Sequence, residues 1–214
     1  MASGFAPRYV WHTLKLLPEE FLAQLESLAH SYLEHSDLIR QSGFGGGEER
    51  WRAERAPILD GIPRSGTVLD AGCANGYLVE CLRRWGSERG LTLDPYGLDF
   101  SAELIAHARA RLRGLESHFF VGNAWDWIPP KRFDFVYSLY DNVPVGYLAE
   151  YIDLLLNRVV VPGGRLILGS YGSRSRSAAP FDIAEFIHRN GYQVAGSSSS
   201  GVPPLTVFAW IDYS

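Results

Sequence analysis

The segment 67–76, Thr-Val-Leu-Asp-Ala-Gly-Cys-Ala-Asn-Gly, constrains this chain more than any other. A short apolar run ends at Asp70, a turn of small residues follows, and an amphipathic helix begins directly behind it at Tyr77. Strand, glycine turn and helix in that order open a βαβ unit, because parallel strands need a helical crossover to return to the same end of a sheet. The rest of the chain repeats the alternation. Strand patterns fall at 67–70, 96–99, 119–121, 133–139 and 165–169, and helical patterns at 77–85, 102–112, 147–158 and 183–189. Ser101 is placed to cap the second helix, and Asn190-Gly191 to end the last. Two final strands, near 192–195 and 205–211, flank a Ser/Gly/Pro-rich connection. The expected class is α/β: a mostly parallel seven-stranded sheet, helices on both faces, and an antiparallel C-terminal strand.

Ahead of this region the pattern is helical only. Pro18-Glu19-Glu20 suits a helix start, and Phe21, Leu22, Leu25, Leu28, Ala29, Tyr32 and Leu33 recur at helical spacing to about Glu34. A loop with glycines at 43, 45, 46 and 47 follows, and then a helical stretch, 48–62, that Pro57 divides in two. An amphipathic helix needs a surface to bury its stripe. Residues 1–62 are therefore expected as a helical cap on a domain spanning 63–214, within one compact unit.

The chain has 214 residues, 46% of them apolar, enough for one large core. A net charge of −4 argues against gripping a nucleic-acid backbone, since phosphate contacts call for a basic surface. No run approaches the ~20 apolar residues of a membrane span, and residues 1–17 do not read as a signal peptide. Two thiols, Cys73 and Cys81, make no disulfide framework and lack zinc spacing, which fits a reducing cytoplasm. The six histidines, at 12, 30, 35, 107, 118 and 188, show no metal-ligand spacing, so no metal is expected.

Ligands of parallel sheets lie beyond the carboxyl ends of the strands. The turns after Asp70, Asp99, Val121, Leu139 and Gly169 should therefore surround the site. Gly72 and Gly76 allow close backbone approach. Asp70 is a carboxylate at a strand end that needs a partner, either the turn itself or a cationic ligand. Asp99, 23 residues beyond Gly76, suits the two hydroxyls of a ribose or, alternatively, opens a capping turn.

Taken together these motifs resemble the class I S-adenosylmethionine-dependent methyltransferases, of Rossmann-like fold. Val68 to Gly76 is similar to the first motif of that family and Gly97-Leu98-Asp99-Phe100-Ser101 to the second. Val121-Gly122-Asn123-Ala124 resembles the third, Phe133 to Ser138 the fourth strand, and Val161-Pro162-Gly163-Gly164-Arg165-Leu166 the turn into the fifth. The resemblance implies S-adenosylmethionine as cofactor and S-adenosylhomocysteine as product. Gly72, with Asp70, Cys73, Ala74 and Gly76, would pass under the methionine moiety, and Asp99 would hold the ribose. Phe100 would pack on the adenine, Asn123 would accept from its amino group in place of the more usual acid, and Ala124 would offer a backbone N–H. Trp125 would shield the ring, while Trp127 would pack. Ala74 replaces the usual middle glycine, which implies a backbone that avoids positive φ there.

Ser138 to Pro144 would lie beside the sulfonium and face the acceptor. Tyr140 and Asn142 would orient a nucleophile and Asp141 would take its proton, unless the segment is only a polar turn. Arg174 and Arg176 offer a fork for an anionic acceptor. Arg52 or Arg55 would pair with the cofactor carboxylate, and His12 or His35 is a further candidate base. Trp51 is either core or a ligand contact. The expected function is methyl transfer to a small-molecule oxygen, nitrogen or carbon acceptor, with no nucleic-acid partner. A non-catalytic binding or partner protein and a nicotinamide-dependent oxidoreductase are the alternatives.

Overall fold

The computed structural model describes residues 14–214. Two N-terminal helices, α1 (Glu19–Leu33) and α2 (Glu48–Arg55), precede the sheet. Then follow β1 (Gly66–Ala71), α3 (Tyr77–Glu88), β2 (Leu93–Asp99), α4 (Ala102–Arg111), β3 (Phe119–Val121) and β4 (Phe133–Leu139). The chain closes with α5 (Leu148–Leu154), β5 (Val160–Tyr171), α6 (Ile183–Arg189), β6 (Gly196–Ser200) and β7 (Thr206–Asp212). Pro57 ends α2 as expected, and residues 56–61 continue as a tight 3₁₀ turn.

The strands form one seven-stranded sheet in the order β3-β2-β1-β4-β5-β7-β6. The first five run parallel, and β7 pairs antiparallel with both β5 and β6. The strand order reverses between β1 and β4, so a crevice opens there at the carboxyl ends. This is the Rossmann-like arrangement anticipated from sequence.

Alternation along each strand divides the core in two. Leu69, Val136, Leu166, Leu168, Ala209 and Ile211 face one layer, which Leu148, Ile152 and Ile183 complete. Val68, Phe135, Tyr137, Ile167, Phe208 and Trp210 face the other, with Trp51, Ile58, Leu82 and Trp85. Trp51 is therefore core: it is buried, and its indole N–H donates to Cys81 Sγ.

Two expectations need correction. The sixth strand is not 192–195 but the serine run Gly196–Ser200, paired from Gly196↔Trp210 to Ser200↔Thr206. Its residues carry no apolar alternation because they form the sheet's outer rim, half-buried and exposed in turn. Tyr192 instead donates its hydroxyl to Asp153 Oδ1 at 2.6 Å. The second correction concerns Ala74, whose φ is +47°, in the left-handed region that its side chain was expected to avoid. Asp99 Oδ2 accepts the Ala74 N–H at 2.9 Å and holds it there, against a cost of about 1–2 kcal/mol for an L-residue.

Gly76 starts α3 at φ +73°, and a Cβ there would stand 2.8 Å from Phe119 Cε1. Gly76→Ala is thus expected to lower unfolding free energy by about 2 kcal/mol or more, from left-handed strain plus overpacking. Urea denaturation followed by tryptophan fluorescence measures it.

Candidate functional site

The turn after β1 is built from three left-handed residues, Gly72 (φ +92°), Ala74 and Gly76, spaced by two. The N–H groups of Gly72 and Cys73 both donate to Leu98 O, at 2.7 and 3.0 Å, which seats the turn against the end of β2. Asp99 completes the seating: Oδ2 takes the Ala74 N–H and Oδ1 takes the Ser101 N–H, both at 2.9 Å. Each oxygen keeps a free lone-pair direction, since a carboxylate accepts about four hydrogen bonds. Asp99 thus caps the next turn and still has capacity for a ligand.

A cavity of about 180 Å³ opens above this turn. Gly72, Ala74, Asp99, Phe100, Asn123, Ala124, Asp141 and Asn142 line it, drawn from the ends of β1, β2, β3 and β4. Leu25, Leu28, Ala29 and Tyr32 of α1 form the opposite wall, with Ser42. These five residues were not singled out as site residues from sequence. The apolar spacing of the four on α1 was legible, but the surface it would cover was not.

Asn75, fully buried, joins the two walls. Its amide donates to Leu38 O and Gln41 Oε1, and its carbonyl accepts from Ser42 Oγ and the Tyr77 N–H. Asn142 performs a similar task after β4, donating to Ala71 O at 2.7 Å and Ser138 Oγ at 2.9 Å. Ser138 is fully buried and also meets the Tyr151 hydroxyl at 2.8 Å, so its side chain supports the loop from below.

Several sequence candidates stand elsewhere. The Cys73 side chain packs downward among Val79, Ile105, Ala108 and Phe119, because its residue lies between two left-handed neighbours and faces the core. Trp125 is buried beside Tyr147, and its indole N–H holds Lys15 O at 2.8 Å, so it anchors the strand leading into α1 rather than lining the cavity. Its backbone N–H is in turn held by Asn123 Oδ1 at 3.0 Å. Trp127 packs on Phe120, as anticipated. Tyr140 is stacked on Phe181, ring centroids 4.6 Å apart, at the rim of the cleft. Arg174 and Arg176 are exposed and outside the cavity lining, carried outward on a turn that the Ser173↔Ala178 bridge closes. Arg52 is on the surface, paired with Glu88. His35 faces a separate open groove together with His107, and His12 lies outside the described residues. Among the described residues no group of three or more His, Cys, Asp or Glu side chains could hold a metal ion. No helix among them is long and apolar enough to cross a membrane.

The electrostatics of the cleft are acidic. Asp70 is 2% exposed and finds no hydrogen-bond donor among the described residues. Burial first, and then the neighbouring Asp99, push its carboxyl up to about 8, against a smaller downward pull from Arg55. Burial also raises Asp99, opposed by its two backbone hydrogen bonds. Tyr32 is pushed up to about 12 by burial and by the charges of Asp141 and Asp99. Asp141 is exposed at the mouth, yet the protein around it raises its carboxyl above the ordinary range.

The Asp70 shift has a measurable sign. A carboxyl whose folded pKa exceeds its unfolded value binds more protons when folded, so stability falls as pH rises between the two. The protein should lose stability between about pH 4 and about pH 8, and Asp70→Asn should flatten that slope. Urea midpoints across this range, parent against variant, provide the check.

A methyltransferase-domain family model matches residues 68–164. The chain is 27% identical over 177 residues to a dTDP-3-amino-3,4,6-trideoxy-alpha-D-glucopyranose N,N-dimethyltransferase of Streptomyces venezuelae, covering 78% of this chain and 70% of the relative. It is 32% identical over 124 residues to a trans-aconitate 2-methyltransferase of Mycobacterium tuberculosis. That match covers 55% of this chain and spans 43% of the relative's length. In fold it is similar to the Burkholderia thailandensis 1,6-didemethyltoxoflavin-N1-methyltransferase, solved with its substrate and S-adenosylhomocysteine, at a TM-score of 0.60 and 15% identity. The two chains are covered to 95% and 93%. Matched sequence, motif order and sheet topology point the same way, away from a nicotinamide enzyme: residues 68–164, a little under half of the chain, match a methyltransferase domain, and the sheet has the Rossmann-like methyltransferase fold.

Proposed function

We propose that this protein transfers the methyl group of S-adenosylmethionine to a small-molecule oxygen, nitrogen or carbon acceptor. The observation that carries the reading is the single cavity that gathers the ends of β1, β2 and β3 with Asp141 and Asn142 behind β4. The cleft fits the cofactor chemically. A side chain at Gly72 would crowd Asn142 at 3.0 Å, so the backbone there stays bare for close approach. Asp99 keeps lone pairs for ribose hydroxyls, and the buried Asp70 carboxyl, without a donor of its own, suits a cationic group.

In this reading Phe100 packs on the adenine, Asn123 uses its remaining carbonyl lone pair toward the amino group, and Ala124 offers its backbone N–H. When bound, S-adenosylmethionine supplies a methyl carbon already activated by its sulfonium. The protein's work is then to hold the acceptor in line and exclude water, and orientation of this kind supplies roughly 7–11 kcal/mol of a barrier. Asn142 keeps the loop after β4 fixed to Ala71. Asp141 takes a proton from acceptors that arrive protonated, aided by its raised carboxyl. Tyr140, braced on Phe181, borders the acceptor.

We read residues 1–62 as a helical cap over the domain spanning 63–214. Supporting this, α1 supplies one wall of a cavity of about 180 Å³, smaller than the roughly 300–1,000 Å³ typical of ligand sites. Ligands of this size therefore enter as α1 swings outward.

Two outcomes test the reading. Asp99→Ala should weaken S-adenosylhomocysteine binding about 10- to 100-fold, the loss expected for charge-assisted hydrogen bonds, with Asp99→Asn intermediate. Isothermal titration reads it, and unchanged affinity rejects the ribose assignment. With small amine, hydroxyl and carbon acid acceptors, S-adenosylhomocysteine release should rise with pH through a midpoint above the ordinary aspartate range, and Asp141→Asn should abolish that limb. Cofactor binding with no turnover on any acceptor would make this a binding protein.

A further inference from the structure

Asn75 sits between the left-handed Ala74 and Gly76 and is fully buried. All four hydrogen-bonding positions of its side-chain amide are filled. Nδ2 donates to Leu38 O at 3.0 Å and to Gln41 Oε1 at 3.1 Å. Oδ1 accepts from Ser42 Oγ at 2.7 Å and from the Tyr77 N–H at 3.1 Å. Leu38 O can only accept, which fixes the way the amide faces. Three of the four bonds therefore reach one short turn, residues 38–42. From the other side, the backbone carbonyl of Asn75 takes Arg111 Nη2 at 3.0 Å, and Arg111 is paired with Glu80 of α3. The asparagine is held by α3 and α4 and itself holds the N-terminal segment.

The turn is firm in its own right. The Gln41 N–H donates to Asp37 O at 2.9 Å, and the Ser42 and Phe44 N–H groups donate to Ile39 O at 3.1 and 3.2 Å. Ile39 and Phe44 are buried in the core layer that contains Trp51. By contrast, Ala29 is the one buried residue of α1. The helix joins the turn through Gln41, whose Nε2 donates to His35 O at 3.1 Å, just past the helix end. Resting on the cap reading above, we propose that Asn75 is a positioning residue of the cleft. It pins the turn 38–42 to the glycine turn, and α1 opens and closes the cavity about that pin. Ser42 belongs to the cavity lining and its hydroxyl is held between Asn75 Oδ1 and Leu38 O, so this edge of the entrance stays in place when α1 leaves. Floor and entrance are thereby set by one side chain.

The test uses the full chain and S-adenosylhomocysteine. Hydrogen exchange of the parent should slow across 19–33 on binding, while 38–44 stays protected with or without it. A helix with one buried residue frays when it swings out, and the pinned turn does not. In stopped-flow fluorescence, Asn75→Ala should raise the association and dissociation rates together, about tenfold each, with Kd within about threefold of the parent. Gln41→Met, outside the cavity lining, should move both rates the same way by less. Unchanged rates, or a Kd raised by faster dissociation alone, confine Asn75 to shaping the floor and overturn the proposal. Exchange at 38–44 that follows 19–33 in the parent places the pivot elsewhere and overturns it too, while the cap reading stands. Exchange across 19–33 that ignores S-adenosylhomocysteine rejects the cap reading, and the proposal with it. If Asn75→Ala does not fold, Gln41→Met and the parent's exchange decide.

Discussion

The carboxylate of Asp99 reaches from the end of β2 to the N–H of Ala74, and the upper surface of the sheet depends on that bond. Without it the turn after β1 would have no reason to hold an alanine in the left-handed region. With it, the backbone of residues 72–76 is drawn against β2 and leaves open the floor of the cleft. The same carboxylate steadies Ser101, which caps α4 through Leu104. One side chain therefore links two strand ends, two helix starts and the cavity. The strain at Ala74 and the raised Asp70 carboxyl are what this arrangement costs in stability.

Much of the sheet was legible in sequence because each strand leaves the same trace. Buried strands read as short apolar runs, and their turns are marked by glycine and by acids at strand ends. Asp70 and Asp99 were recognisable for that reason. What escaped was whatever depends on long-range pairing. The run Gly196–Ser200 carries no hydrophobic signal, and only its ladder with β7 makes it a strand. Ala74 looked incompatible with positive φ because its partner is 25 residues away. Cys73 and Trp125 have side chains of the right kind near the right turn, but the backbone directs both into the core. Asn75 read as an ordinary turn residue and Asn142 as one that orients the acceptor, and the several hydrogen bonds of each exist only once the segment after α1 and the end of β1 are in place.

The N-terminal helices show the same division between pattern and target. The stripe on α1 announced a helix that needed covering, but Leu22 and Leu28 remain partly exposed while Ala29 is buried against Ala74 and Leu104. The second helix is seated more firmly. Trp51 and the 3₁₀ turn behind it enter the core layer that Phe135, Ile167 and Trp210 supply from the sheet.

The composition of the sheet's two rims bears on how the molecule behaves in a crowd. At one edge β3 is three residues long, and at the other β6 is a glycine followed by four serines. An open strand edge invites a second chain to add on, and short strands or polar ones discourage it. A sheet stacking against the serine rim would bury hydroxyls on either face without gaining an apolar stripe. The residues that hid this strand from a hydrophobicity pattern are the ones that make it a poor seed for aggregation.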